Sequence, residues 1–238
     1  MSLKLASVTC CHGRPAITRA FARHTASLGI DHRIAVLSHA DQDPSAEDTA
    51  AYLHDLGFTV LFSDNMPLGD KHNAAMYAAM HTDADAFIIL PSDDFAHPKW
   101  IDYIRQGDHP YTFPPKLAMV DLPSGEACVI SARTTGSIPF GAGRAIHRTI
   151  IDRMGGTPLF PPNARSGLDS ASHGLLRHYA SLHLPKLDYI AITDVKTPGN
   201  IWPYSTWTSH STKITPEEAL SHVTDAHDIL AIRDPNAY

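Results

Sequence analysis

Cysteine is scarce in this sequence, and its few cysteines are not arranged for disulfide bonding. The 238 residues contain three of them: Cys10 and Cys11 are adjacent, and Cys128 lies far along the chain. An odd number with an adjacent pair does not make a disulfide framework, so it favours a reducing compartment. We expect a cytoplasmic protein.

Long apolar runs are absent as well. A run such as Ala86–Leu90 is far shorter than the roughly 20 apolar residues that a membrane-spanning helix needs. The first residues, Met1–Lys4, lead into a strand-like run without the apolar stretch of a signal peptide. The sequence therefore predicts neither a membrane span nor a secretory leader.

Positive charge is in short supply. Lys and Arg together number 19 against 25 Asp and Glu, which gives a formal net charge of −6. A duplex-binding surface is usually strongly basic, so this composition disfavours a general nucleic-acid-binding protein, although a local basic groove is compatible with it. The 16 histidines are scattered and form no His-Glu-x-x-His pair, which disfavours a zinc protease.

Strand and helix patterns alternate through the first part of the chain. The predicted strands are Leu3–Thr9, Arg33–Ser38, Gly57–Ser63 and Ala86–Leu90, and the predicted helices begin at Pro15, at Asp43-Pro44 and at Gly69. Such alternation predicts a parallel sheet with right-handed crossovers, in which ligands bind at the carboxyl ends of the strands. Three segments that follow strands should therefore be neighbours in space: Cys10–Pro15, His39–Asp43 and Pro91–His97.

The second part of the chain has a different pattern. It predicts a hairpin at Leu117–Leu122 and Glu126–Ser131, helices at Arg144–Met154 and Leu168–Ser181, a strand at Lys186–Ile192, an irregular aromatic segment at Thr193–Lys213 with Trp202, Tyr204 and Trp207, and a capping box at Thr215–Glu218. No internal repeat or low-complexity linker divides the sequence. We expect a single domain over residues 1–238.

Two adjacent carboxylates follow the most apolar strand. Asp93 and Asp94 come after Pro91 and Ser92, at the edge where ligands bind. Carboxylates are hard oxygen ligands for Mg²⁺ or Mn²⁺, and such an ion offsets the charge on a departing diphosphate. The alternative is that Asp93 and Asp94 cap a helix beginning near His97. The residues alone leave both interpretations open.

Three motifs together resemble those of the family-2-like GT-A glycosyltransferases. They are the loop after the first strand (Val8–Pro15), the Gly-x-x-x-Asn-x-Ala helix start (Gly69–Ala75) and the strand that ends in Asp93-Asp94. Their order and spacing match over roughly Leu3–Trp100, and a weaker match continues through Gly141–Tyr179. The resemblance implies an α/β fold: a Rossmann-like GT-A domain with a mostly parallel central sheet and a small antiparallel or irregular C-terminal portion. Residues 1–100 would form the nucleotide-binding half and residues 101–238 the acceptor-binding half, with a flexible C-terminal segment.

Several positions depart from the family pattern. Pro91 stands where the first aspartate of the Asp-x-Asp metal motif usually lies, whereas Asp93 matches the second aspartate. His72 replaces an arginine, and Ser38–Asp41 lacks the usual acidic pattern. These changes put the nucleobase in doubt, and a UDP-sugar is favoured only because it is the commonest donor in such proteins.

The resemblance also implies roles for particular residues. The nucleotide-sugar would be bound by Thr9, Cys10, His12, Arg14, Lys71, Asn73, Asp93 and Lys196. A divalent metal, Mn²⁺ or Mg²⁺, would be held by Asp93, Asp94 and His210. Asp169 would be the general base that deprotonates the acceptor, which favours inversion of configuration. Four of these residues have a simpler alternative: Lys71 and Arg14 could be solvated, Asn73 could hold a turn, and Asp169 could only stabilise a helix N-terminus.

The predicted function is thus metal-assisted sugar transfer from a nucleotide-sugar donor to a saccharide or other hydroxyl acceptor. Three alternatives stay open. A nucleotidyltransferase shares the sheet and the metal-bound diphosphate, and a catalytically silent nucleotide-sugar-binding module would explain Pro91. An acceptor base in phage-type DNA would require a basic groove formed by Arg133, Arg144, Arg148, Arg153 and Arg165.

Overall fold

The computed structural model describes residues 2–132, 140–198, 200, 204–206 and 211–232. Four residues named above, Arg133, Trp202, Trp207 and His210, lie outside the described residues.

The chain alternates strands and helices up to residue 106 and then becomes richer in strands. The first part comprises β1 (Leu5–Cys11), α1 (Pro15–Ser27), β2 (His32–Ser38), α2 (Ala46–Asp55), β3 (Thr59–Ser63), α3 (Leu68–Met80), β4 (Ala86–Ile89), β5 (Asp94–Ala96) and α4 (Pro98–Gln106). The second part comprises β6 (Tyr111–Thr112), β7 (Lys116–Asp121), β8 (Glu126–Ser131), β9 (Arg144–His147), α5 (Arg148–Arg153), α6 (Leu168–Leu176), β10 (Ile192–Lys196), β11 (Thr212–Ile214), α7 (Pro216–Ala219) and α8 (Ala226–Ala231).

The central sheet has the strand order β3-β2-β1-β4-β9-β6. Strands β1 to β4 are parallel, and β9 and β6 extend the sheet at one side, with β9 antiparallel to both β4 and β6. All four residues of β4 are buried, as expected for a central strand covered on both faces. The predicted mostly parallel α/β sheet is confirmed.

A second sheet has the order β11-β8-β7-β10-β5. Its β7–β8 pair is the predicted hairpin, with antiparallel pairing from Lys116↔Ser131 to Asp121↔Glu126. Strand β5 begins at Asp94 and pairs antiparallel with β10, so that Asp94 lies directly opposite Asp194. The chain therefore passes from the central sheet into the second sheet at the acidic pair.

Two apolar cores cover the two faces of the central sheet. One combines residues of α1 and β1, such as Phe21 and Leu5, with residues of the second sheet, such as Phe95 and Ile192. The other combines residues of α3 with residues of β4 and α5, such as Met76, Phe87 and Ile150. Trp100 is fully buried and donates a hydrogen bond from Nε1 to the carbonyl of Gly143 at 2.9 Å.

Three predicted elements differ in the structure. The predicted helix Arg144–Met154 is strand β9 followed by the shorter helix α5, because residues 144–147 pair with β4. The predicted strand Lys186–Ile192 is wrong: the strand is β10, which extends from Ile192 into the segment expected to be irregular. Helix α6 ends at Leu176 rather than at Ser181.

None of the described helices is both long enough and apolar enough to cross a membrane.

Candidate active site at the carboxyl edge of the central sheet

The loop after β1 (residues 12–14, the β1 loop) joins the loops after β2 and β4. The Gly13 amide donates to Asp43 Oδ2 at 2.6 Å, and Arg14 Nη1 donates to Asp93 Oδ2 at 2.8 Å. The predicted proximity of the three segments is confirmed. The helix predicted to begin at Asp43-Pro44 is α2, which begins at Ala46 instead, and the buried Asp43 carboxylate accepts hydrogen bonds from the amides of Gly13 and Ser45.

Gly13 and Arg14 both have left-handed backbone conformations, with φ of 59° and 53°. This region costs a residue with a Cβ more than it costs glycine, so Arg14 needs support from its surroundings. That support comes from the ion pair with Asp93 and from Pro15, whose fixed φ suits the first position of α1.

Asp93 is 7% exposed and is held from two sides. Its Oδ2 accepts from Arg14 and from Asn200 Nδ2, the latter at 2.5 Å. Asn200 Oδ1 in turn accepts from the amide and the hydroxyl of Thr197 at 2.7 and 2.9 Å. Burial alone would raise the pKa of Asp93, but the cations Arg14 and Lys196 outweigh burial and hold that pKa below its ordinary value.

Asp94 and Asp194 face each other across the β5–β10 pair. They are 4% and 9% exposed, and the Oδ1 atom of each is buried with no hydrogen-bond partner among the described residues. Lys196 Nζ lies 2.5 Å from the other oxygen of Asp194. Burial raises the pKa of Asp94 well above its ordinary value, and Asp194 and Asp93 raise it further. Burial likewise raises the pKa of Asp194 to about 6, against the attraction of Lys196.

Asp169, the predicted general base, lies in the first turn of α6. Its side chain is 54% exposed, and its Oδ1 is 3.9 Å from Nη2 of the fully buried Arg144. Arg144 also donates to Ser172 Oγ at 2.6 Å and to the Asp169 carbonyl at 3.2 Å, which ties α6 to β9. Asp169 contributes to the raised pKa of Asp94 after burial and the nearer carboxylates, so its charge acts on the acidic cluster formed by Asp93, Asp94 and Asp194.

Lys71 is 1% exposed, so the solvated alternative is wrong. Its ammonium donates to the Cys11 carbonyl at 2.6 Å, to Ser38 Oγ at 2.8 Å and to Asn65 Oδ1 at 3.4 Å. It thereby connects the ends of β1 and β2 with the turn before α3. Direct contact between Lys71 and a phosphate stays a prediction that none of these hydrogen bonds supports.

Both polar atoms of the Asn73 side-chain amide form hydrogen bonds with the backbone of Phe160. Its Nδ2 donates to the Phe160 carbonyl at 2.8 Å, and its Oδ1 accepts from the Phe160 amide at 3.0 Å. This is the structural alternative, since the amide holds the segment before α6 against α3. A donor contact by Asn73 stays a prediction.

The remaining residues of the predicted donor site lie along the end of β1. Thr9 is buried within the strand, and Cys10 is half-buried, with burial raising the pKa of its thiol to about 12. His12 is exposed, and its Nδ1 lies 2.9 Å from Ser38 Oγ. Of these three side chains, only that of His12 is exposed at the carboxyl edge of the sheet.

Solved structures with this architecture were found at low sequence identity. S. aureus TarS 1–349 aligns with a TM-score of 0.60 and 11% identity, over 81% of this chain and 60% of TarS 1–349. The mannosyltransferase PcManGT from Pyrobaculum calidifontis, in complex with GDP-Man and Mn²⁺, aligns with a TM-score of 0.57 and 12% identity over 98% and 71% of the two chains. The chain has a GT-A fold.

The inositol-1-phosphate CTP transferase from T. maritima also aligns, with a TM-score of 0.54 and 9% identity over 94% of this chain and 99% of that one. No protein-family model matches the chain, and no curated protein sequence matches it significantly. The GT-A fold is therefore established by structure and not by sequence relatives.

Within this GT-A fold, the acidic cluster is the candidate place for a divalent cation. Among the described residues, no three His, Cys, Asp or Glu side chains converge on a metal-binding arrangement. Mg²⁺, however, is commonly held by one or two carboxylates together with water and substrate phosphates. The unpartnered oxygens of Asp94 and Asp194 fit that requirement, whereas Asp93 Oδ2 already accepts two hydrogen bonds. His210 lies outside the described residues.

Sequence reasoning missed two members of this edge, Asp194 and Asn200. Asp194-Val195-Lys196 alternates polar and apolar residues, which is a strand signal, but these residues lie in the segment that was expected to be irregular and aromatic. The arginine groove that the DNA alternative would require is contradicted at two of its five positions. Arg144 is fully buried, and the guanidinium of Arg148 donates to the carbonyls of Met80, Thr82 and Ala84.

Proposed function

We propose that this protein is a glycosyltransferase that moves a sugar from a nucleotide-sugar to a hydroxyl acceptor. The observation that carries the proposal is the acidic cluster, which lies directly beside the β1 loop of a GT-A fold and is joined to it by Arg14–Asp93. Support also comes from similar structures that hold UDP-GlcNAc, or GDP-Man with Mn²⁺.

On the donor side, we assign the nucleotide to the end of β1 and the β1 loop, from Thr9 to Arg14. Arg14 and Lys196 supply positive charge beside the acidic cluster, where a diphosphate would need it. Asp93 positions Arg14 through its ion pair, and Lys71 positions the loop from beneath. A UDP-sugar is the donor we favour.

A divalent cation at the acidic cluster would stabilise the negative charge that develops on the diphosphate leaving group. Asp94 is the predicted ligand that has a buried oxygen without a partner among the described residues.

On the acceptor side, Asp169 would accept the proton of the attacking hydroxyl as the new glycosidic bond forms. Its half-exposed carboxylate is open to an acceptor, and Arg144 fixes the helix that bears it. A carboxylate in this role is consistent with attack opposite the leaving group and inversion of configuration.

The test combines donor binding with transfer. A thermal-shift panel of nucleoside diphosphates and their sugars, with Mn²⁺ or with EDTA, should show stabilisation by one nucleotide, because selective binding to the folded state raises the melting temperature. Asp169→Asn should keep that stabilisation and lose transfer by roughly 10²- to 10⁴-fold, the usual contribution of a general base. Asp55→Asn, an exposed carboxylate at the last residue of α2, is the matched control and should behave as the unmodified protein.

Two results would contradict the proposal. Nucleotide-sugar binding without turnover would indicate a silent binding module. Release of diphosphate from a nucleoside triphosphate in the presence of a sugar phosphate would indicate a nucleotidyltransferase, the second candidate. That candidate is favoured by the nearly full-length alignment with the CTP transferase, and it is disfavoured by a β1 loop that contains a single glycine, Gly13.

A further inference from the structure

Asp94 and Asp194 form a buried pair of carboxyl groups, and the hydrogen bonds of the described residues do not satisfy all of their oxygens. They are directly opposite each other on antiparallel strands, where Cβ atoms lie about 5 Å apart and side chains point to the same face. Each keeps one buried oxygen without a partner among the described residues. Buried carboxylates are normally paired, hydrogen-bonded or bound to a cation.

The neighbouring hydrogen-bond donors do not complete this pair. Arg14 and Asn200 are both directed at Asp93, and Lys196 Nζ binds the Oδ2 atom of Asp194. Among the described residues, the Oδ1 atoms of Asp94 and Asp194 therefore have no partner, whereas Oδ2 of Asp93, the residue that matches the family motif, already accepts two hydrogen bonds.

We propose that Asp194, together with Asp94, binds the divalent cation, and that Asp93 instead positions Arg14. This inference deepens the proposed function and rests on it for the cation's role. Two carboxylate oxygens from opposite strands would supply the protein ligands, and water and the donor diphosphate would supply the rest, as is usual for Mg²⁺. Strand β10 would then provide a ligand that the Asp-x-Asp segment does not contain.

The test measures Mn²⁺ binding by the full-length protein, from the loss of the electron paramagnetic resonance signal of free Mn²⁺, with and without UDP. Asp94→Asn and Asp194→Asn should each weaken Mn²⁺ binding at least tenfold, because each removes one charged ligand. Asp93→Asn should change it less than threefold and should instead weaken binding of UDP. The exposed Asp55→Asn variant should leave both affinities unchanged, and thermal unfolding of each variant checks that it is folded.

The opposite pattern overturns the inference. Loss of Mn²⁺ binding in Asp93→Asn with normal binding in Asp194→Asn would place the ion on Asp93. Absence of Mn²⁺ binding by the unmodified protein, with or without UDP, would also overturn it. Nucleotide-sugar transfer that persists in EDTA refutes the cation's role in transfer and leaves the glycosyltransferase proposal standing. Mn²⁺ binding that needs Asp94 and Asp194 in a protein without transferase activity refutes the function and leaves the site.

Discussion

Lys71 is a buried charge that organises the carboxyl edge of the central sheet. Its three hydrogen bonds connect β1, β2 and the turn before α3, and burial lowers the pKa of its ammonium group, which the Coulombic influence of Cys10, Cys11 and Asp43 partly offsets. Lys71 therefore stabilises the fold by donating hydrogen bonds to backbone and side-chain oxygens that would otherwise be buried without a donor.

Lys71→Met should lower the free energy of unfolding by about 1–3 kcal/mol, because it leaves the buried Cys11 carbonyl without this donor. Nucleotide binding should weaken as well, since the β1 loop follows Cys11 directly. Urea unfolding and the nucleotide thermal shift measure the two effects. Lys186→Met, at an exposed position, is the control; a Lys71→Met protein as stable as that control would contradict the structural role.

Gly141 offers a test of the position of Asp169. A Cβ added at Gly141 would lie 2.1 Å from Asp169 Oδ1, so alanine must displace the carboxylate. A displacement of about 1 Å at a catalytic group can cost on the order of 10²-fold in rate. Gly141→Ala should therefore lower kcat for transfer strongly while leaving the donor thermal shift unchanged.

The matched control is Gly174→Ala on α6. A Cβ there meets nothing within 4 Å, and alanine in a helix is favoured over glycine by about 1 kcal/mol. Gly174→Ala should keep full transfer activity with equal or higher stability. Equal activity of Gly141→Ala and Gly174→Ala would remove the support for Asp169 as the base.

At the scale of the element, three histidines from separate segments pack together. His24 of α1 lies with its Nε2 2.7 Å from the Ala96 carbonyl, and His222 Nε2 lies 3.2 Å from the Phe95 carbonyl. The ring of His97, which caps α4, stacks on His222 with centroids 4.8 Å apart. Burial lowers the pKa of all three, that of His222 to about 4.

This cluster predicts acid sensitivity. Below about pH 6.5 the unfolded chain takes up protons at these histidines, whereas folded His222 resists protonation until about pH 4. Stability contributed by neutral His222 is therefore complete above pH 6.5 and falls toward pH 4, by at most about 3 kcal/mol. Urea unfolding at pH 7.5 and pH 5 should show a smaller difference in His222→Gln than in the unmodified protein.

The control for acid sensitivity is His227→Gln, whose side chain is 96% exposed. It should leave the difference between the two pH values unchanged. An equal difference in His222→Gln and the unmodified protein would show that the cluster does not couple stability to pH.

Elements with a plain hydrophobic pattern were predictable, and elements set by tertiary pairing were not. The helices at Pro15 and Gly69 and the apolar strand β4 were found within two residues of their predicted bounds. The spacing of Ile146, Ile150 and Ile151 fits one helix, and it fits a strand followed by a helix equally well. Pairing with β4 decides which of the two structures forms. Strand β10 lies mostly in the segment that was expected to be irregular, and its five residues are all buried between the neighbouring strands β7 and β5 and the core.

In the candidate site, too, local patterns predicted some residues, and tertiary pairing determined the others. The position of Asp93 and Asp94 at the carboxyl edge follows from strand order, which the sequence pattern predicts. Their partners Asp194 and Asn200 are more than 90 residues away in the chain and meet them only through the second sheet. These contacts depend on long-range strand pairing, so the local spacing of residues does not predict them.

At the scale of the whole molecule, the boundary expected between residues 100 and 101 crosses both sheets. Strand β5, from the first part, belongs to the second sheet, while β9 and β6, from the second part, belong to the central sheet. One core contains Phe21 and Phe95 together with Ile192 of β10. The two halves are therefore interleaved in structure, and we expect them to fold as one domain.

The whole chain should accordingly unfold in a single cooperative transition, with calorimetric and van't Hoff enthalpies in agreement.

Residues 1–100 expressed alone would lack β9, which pairs with β4, and β10, which pairs with β5. The edge hydrogen bonds of β4 and β5 and the buried side chain of Trp100 would then be exposed. Residues 101–238 alone would leave β9 without β4. Neither piece should unfold cooperatively, whereas a cut between Ser124 and Gly125, in the exposed turn of the β7–β8 hairpin, should leave a folded two-piece protein. Cooperative folding of residues 1–100 by themselves would show that the nucleotide-binding half is an independent domain, and the single-domain interpretation would then be wrong.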